Sequence, residues 1–168
     1  ASGGLKWLYV AGAITLTNTA NDFNGVVSLG ATAAAITDSV GGLVLDQIDT
    51  TAGGLVAVST NGAITQTANS VITTAADSSF TATATVNGLA ADIVLNNAGN
   101  NFTGVLNLDG ANVLVQDSNA LTLGHVSAAA DLTVTLAAGN LDFDPVSGNA
   151  TVVGSMAITT NGGNVDLA

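Results

Sequence analysis

The sequence predicts an all-β protein, a right-handed parallel β-helix of about eight coils. Three observations predict it: an internal repeat at constant spacing, short runs with apolar residues at every second position, and clusters of Asn, Gly and Asp between those runs.

The repeat is the strongest of the three. Residues 14–29 read ITLTNTANDFNGVVSL and residues 93–108 read IVLNNAGNNFTGVLNL, with eight of sixteen positions identical at an offset of 79. The shared residues are Ile14/Ile93, Leu16/Leu95, Asn18/Asn97, Asn21/Asn100, Phe23/Phe102, Gly25/Gly104, Val26/Val105 and Leu29/Leu108. Downstream, Asp38-Ser39 matches Asp117-Ser118, and Leu43-Val44-Leu45 matches Leu121-Thr122-Leu123 after a one-residue slip. The stretch Thr160–Leu167 resembles the approach to Ile93, so Val165 reads as the start of a third copy. Val10–Ala13 reads as the tail of a preceding one. The expected organisation is a terminal segment 1–13, one repeat over 14–92, a second over 93–164 and the opening of another at 165–168.

Within each copy, runs such as Ile14–Thr17, Val26–Leu29, Leu43–Leu45 and Leu132–Leu136 place an apolar residue at i and i+2. That is the period of a strand with one face in a core. Between them lie Asn24-Gly25, Asn61-Gly62, Asn87-Gly88, Asp109-Gly110 and Asn161-Gly162, which read as turns. The Ala-rich stretches 31–35 and 128–130 are too short for a helix. Short strands in number also fit a β-sandwich, the alternative fold. The repeat and the Asn-rich turns favour the solenoid, because stacked Asn side chains hydrogen-bond from coil to coil. Each 79-residue repeat would then hold about four coils.

Composition fits thin layers. The chain is 48% hydrophobic but only 4% aromatic, so its core is built from Ala, Val, Leu and Ile. Only 8% of residues are charged, all twelve acidic ones are Asp, and Lys6 is the one basic residue, for a net charge of −11. No basic patch exists to displace counterions from phosphates, which argues against nucleic acid and against anionic membrane surfaces as partners. There is no Cys, hence no disulfide or thiolate chemistry. No apolar run has the roughly 18 residues of a spanning helix.

The phrases "ITLTN…NDFNGVVSL" and "IVLNNAGNNFTGVLNL…VQDSNALTLG" resemble the repeats of filamentous-haemagglutinin-like exoproteins and large autotransporter adhesins. The resemblance is carried by Asn97, Gly99, Asn100, Phe102, Gly104, Asp117, Ser118, Asn119, Ala120, Leu121, Leu123 and Gly124. It implies a right-handed parallel β-helix, export to the surface of a bacterium or beyond it, and roles in adhesion or biofilm. It implies no catalytic residues. This chain is much shorter than such proteins, and no secretion domain is recognisable in it.

The side chains that could carry chemistry are few. His125 is the only histidine, and no G-x-S-x-G elbow accompanies it, so a structural role is expected. Asp142 and Asp144 flank Phe143 in the manner of paired glycosidase carboxylates, but there is no Arg to hold an acidic sugar. A carbohydrate-binding or carbohydrate-cleaving β-helix is the second functional reading. Asp38, Asp46 and Asp49 would bind Ca²⁺ if stacking gathered them; no other cofactor is expected. Thr81, Thr83 and Thr85 alternate with Ala, a pattern that on a flat face orders ice-like water, and ice binding is the third reading. Asn101 and Asn149 head N-x-Thr sequons.

The leading expectation is a non-enzymatic, extracellular or cell-surface structural and adhesive element. Its partners are other copies of itself stacked end to end or the rest of a longer chain, with surface glycans as a further partner. Trp7, Leu8, Tyr9 and Val10 at one end, and Val165 and Leu167 at the other, are the expected assembly interface. Asn18, Asn21, Gly25, Asn97, Asn100 and Gly104 are expected to build the turns.

Overall fold

Each short run alternates an aliphatic residue with Thr, Ser, Asn or Asp, so an extended backbone has one apolar edge to bury. In the computed structural model, which describes residues 7–84 and 89–166, these edges face one continuous interior that runs from Ile14 to Leu141. The strands of the first part are β1 (Leu8–Tyr9), β2 (Ile14–Leu16), β3 (Val26–Ala31), β4 (Ala34–Asp38), β5 (Leu43–Thr50), β6 (Leu55–Ser59), β7 (Ile64–Gln66), β8 (Ile72–Thr74), β9 (Ser78–Ala84) and β10 (Leu89–Ala90). Those of the second are β11 (Ile93–Leu95), β12 (Asn101–Phe102), β13 (Val105–Gly110), β14 (Val113–Asp117), β15 (Leu121–Ala128), β16 (Leu132–Leu136), β17 (Leu141–Phe143), β18 (Asn149–Val152), β19 (Met156–Thr160) and β20 (Val165–Asp166). There is no helix among the described residues.

The chain winds between two sheets, in the orders β1-β3-β5-β7-β11-β14-β16-β19 and β2-β4-β6-β9-β13-β15-β17-β20. All pairings are parallel except β9 with β10, a hairpin that leaves the coil path. This is a parallel β-solenoid, and the β-sandwich alternative is discarded. Eight levels per sheet make about seven turns, one fewer than expected, and about 34 Å of rise at the spacing of neighbouring strands.

Inward residues form aliphatic ladders, one rung per coil. Leu43, Ile64, Ile93, Val113 and Leu132 follow one another along the first sheet. Ile36, Ala57, Phe80, Leu108 and Val126 do so along the second. All are essentially inaccessible. Small Ala57 lies beside large Phe80, so volumes are complementary between rungs.

The repeat does not hold four coils. Between β2 and β11, its counterpart 79 residues on, the chain crosses from sheet to sheet seven times, which is three and a half turns. Equivalent strands therefore lie in opposite sheets: β2 is in the second and β11 in the first, β3 in the first and β13 in the second. Successive repeats are related by half a rotation about the solenoid axis. The predicted turns mostly hold, with one correction: Asp109 and Gly110 close strand β13, paired with Ser127 and Ala128. Asn87-Gly88 lies outside the described residues.

Candidate functional site

Between β2 and β3, and again between β11 and β13, the sequence Asn-x-x-Asn-x-Phe-x-Gly turns the chain from one sheet to the other. The two corners share a hydrogen-bonded frame. The Asn21 amide donates to Asn18 O at 3.1 Å and Asn100 N to Asn97 O at 3.2 Å. Asn21 Nδ2 donates to Leu16 O at 2.8 Å, and Asn100 Nδ2 to Leu95 O at 3.1 Å. The next coil contributes an aspartate: Phe23 N donates to Asp38 Oδ1 at 2.7 Å, and Phe102 N to Asp117 Oδ2 at 2.8 Å. Ser39 N and Ser118 N close the frame on Asn21 O and Asn100 O. The shared Asp-Ser pair is thus the far side of the corner, 15 residues along the chain from its Phe.

The corners differ in what lies on their N-terminal side. Over the second lies the coil of β7 and β8. Asn100 Oδ1 accepts from Ile72 N at 3.0 Å and Gln66 Nε2 at 2.7 Å, while Asn100 Nδ2 donates to Gln66 Oε1 at 3.0 Å. Asn97 Nδ2 donates to Thr67 O at 2.7 Å and Ser70 O at 3.0 Å. Thr103 N donates to Thr74 O, Val105 N to Asp77 Oδ1, and Asn101 and Phe102 pair with Thr73 and Thr74. Asn100 and Phe102 are consequently buried, and Phe102 meets Phe80 edge to face at 5.9 Å.

At the first corner no partner for Asn21 Oδ1 or Asn18 Nδ2 is present among the described residues, and Asn21 and Phe23 are only half-buried. A pocket of about 290 Å³ opens there, lined by Asp22–Gly25 and by Val40, Gly41, Gly42 and Val44. Gly41 and Gly42 have φ of 81° and 91° and absorb the extra residue behind the one-residue slip. Asn119 N donates to Asp117 Oδ1 at 2.8 Å in the second corner; the residue two after Asp38 is Val40, and the buried Asp38 Oδ2 has no partner among the described residues. Burial pushes the Asp117 carboxyl above its ordinary range, against the opposing pull of its amide donors.

The other candidates fall as follows. Leu8 pairs with Leu29, and Tyr9, 69% exposed, lays its ring over Gly30 on the outer face of the first sheet. Trp7 is exposed with φ 56°, and Val10 N donates to Gly30 O. Val165 pairs with Leu141 and is 42% exposed; Leu167 lies outside the described residues. Of the nine exposed large apolar side chains described, four lie at or before Val40 and four at or after Val146, with Val56 alone between.

His125 stands in a polar ladder: its amide donates to Asn107 Oδ1 and its Nδ1 lies 2.7 Å from Asn149 Oδ1. A second ladder runs from Asp92 to Ser155: the Asn112, Asp131 and Ser155 amides donate to Asp92 Oδ1, Asn112 Oδ1 and Asp131 Oδ1 of the coil before. Asp142 pairs with Asp166, whereas Asp144 Oδ2 accepts from the Ser147 hydroxyl and the Ser147 and Val146 amides, which lowers its pKa. Asp144 therefore holds the Pro145 turn. Asp38 faces the interior, while Asp46 accepts from the Thr67 and Ser28 hydroxyls, which hold its pKa down. No cluster of three metal-ligating side chains forms among the described residues. Thr81 is flanked by Val58 and Asp109, so its neighbours on adjacent coils are not Thr; Thr85 lies outside the described residues. Gln66, Ser70 and Asp77 were not legible beforehand, since each acts on a corner about 30 residues away.

A family model described as "Repeats of unknown function (DUF5649)" matches residues 2–30, 31–109 and 110–168. The chain belongs to that repeat family. Its middle segment is 79 residues long, the offset that separates the two corners. No curated protein and no solved structure matches the chain.

Proposed function

We propose that this chain is an extracellular structural and adhesive element, a stretch of repetitive rod whose work is to span distance and present a surface. The observation that carries the reading is the way one repeat seats on the previous one. The Asn-Phe corner of the second copy is completed by main-chain and side-chain groups of the coil before it, so each added repeat prolongs the same core. The likeness to filamentous-haemagglutinin-like and autotransporter repeats supports adhesion at a bacterial surface. The acidic, nearly Lys-free exterior favours neutral glycans over anionic polymers. The winding is taken as right-handed, the hand that parallel crossovers prefer.

The test is negative-stain microscopy of the purified chain over a range of concentration and salt, paired with a glycan array and a bacterial-surface binding assay. Rods that lengthen end to end, or selective surface binding, are expected. Uniform short particles that bind no surface and no glycan would exclude this role.

A further inference from the structure

Resting on the reading of the chain as a stacking element, we infer that the first corner, built on Asn18, Asn21 and Phe23, is a docking site for the β7–β8 coil of a further copy of the family repeat. The second corner supplies the template. There the occupant offers Asn100 an amide from Ile72 and both ends of the Gln66 carboxamide, and offers Asn97 the carbonyls of Thr67 and Ser70. The first corner keeps both asparagines at the same offset, in the same backbone frame. Its Asn21 Oδ1 and Asn18 Nδ2 lack those partners among the described residues, and its Phe23 borders an open pocket where Phe102 is covered.

The occupant is specific in chemistry. It needs one main-chain amide, two carbonyls and a carboxamide that donates and accepts at once, presented by a parallel coil. A generic apolar surface would leave Asn18 and Asn21 unsatisfied, which a buried interface penalises. Register sets the direction of joining. Leu29 pairs with Leu8, and the equivalent Leu108 pairs with Phe80, so Leu8 stands where Phe80 stands. The incoming coil therefore lies on the N-terminal side of Leu8. The half-rotation between repeats puts its β8 strand in the second sheet, above Asp22 and Phe23.

The experiment extends the chain in register by placing a copy of residues 14–79 directly before Leu8. Small-angle scattering should show the rod lengthen by about 14 Å, three turns at the usual strand spacing. Asn21→Ala should lower the melting midpoint of the extended chain as much as Asn100→Ala does, against less than half as much in the unextended chain. Changing the added copy's Gln66→Ala should abolish most of that gain. Lengthening without any rise in the cost of Asn21→Ala would overturn the inference, as would added residues that form no strand signal. If the corner behaves as expected but the rods bind no surface and form no fibre, the functional reading falls and the docking site stands.

Discussion

The two Asn-Phe corners are a near-identical sequence in two environments. Asn100 and Phe102 are sealed beneath a preceding coil, while Asn21 and Phe23 stand half-open beside a pocket. The intrinsic frame is the same where the described residues supply no covering coil: the Asn21 side chain reaches Leu16 O, and Phe23 N donates to Asp38 Oδ1. The corner is thus a local fold set by its own residues and the coil after it. The coil before it adds burial and satisfies the remaining polar atoms. The glycines make the same point. Gly25 has φ 149°, a conformation that disfavours a side chain, whereas Gly104 is required for proximity: a methyl group there would lie 2.3 Å from the backbone of Ala76 and Asp77. One repeat position is glycine for two different reasons.

The largest test of this contrast is at the aromatic ring. Phe102→Ala should cost about 3–5 kcal/mol, since it empties a closed site and removes the contact with Phe80, while Phe23→Ala should cost about 1–2 kcal/mol. Urea titrations of both variants measure the gap, and equal costs would mean that the first corner is also covered. Next come the asparagines. Asn100→Ala orphans Ile72 N and Leu95 O and should cost about 3 kcal/mol; Asn21→Ala orphans Leu16 O alone, for about 1 kcal/mol.

The glycines should lie closer together. Gly104→Ala should cost roughly 2–3 kcal/mol by forcing apart two coils, and Gly25→Ala roughly 1–2 kcal/mol by backbone strain. Amide exchange separates the mechanisms. The first variant should loosen amides of the 74–77 segment, and the second only those of its own turn.

The smallest expected effect depends on pH. Because burial raises the folded-state pKa of Asp117, the folded protein holds that proton more tightly than the unfolded chain. The resulting stability is greatest in acid and is lost as pH rises from the ordinary carboxylate pKa to the raised one. The stability gap between wild type and Asp117→Asn should therefore narrow as pH rises above the ordinary carboxylate pKa. A gap that widens over that range would show that amide hydrogen bonds outweigh burial at this carboxylate.

Much of this was legible in the residues. The corner asparagines, the Phe and the Gly were marked by identity at one offset, and alternation marked the inward residues Leu43 and Leu45 and Leu132, Val134 and Leu136. The Asp38 and Asp117 matches were visible, but not their task of capping Phe23 N and Phe102 N across a coil. Gln66 carried no signal, because its role exists only when coils 34 residues apart are stacked. Asp109-Gly110 was misread as a turn, since Gly110 closes a strand through its pairing with Ala128 and not through local conformational preference.

By itself, then, the sequence pointed to a solenoid: period-two runs with small aliphatic faces must bury one edge, and the 79-residue identity with its Asn-rich turns says that they do so in a repeating stack. The tertiary structure decided the number of turns in that repeat. Three and a half turns, and not four, follow from which sheet each strand joins, a property of pairing that no single run encodes. It also decided which copy of one corner motif is buried and which is open. Burial belongs to the neighbour above, and the same residues acquire different energetics according to whether that neighbour is in place.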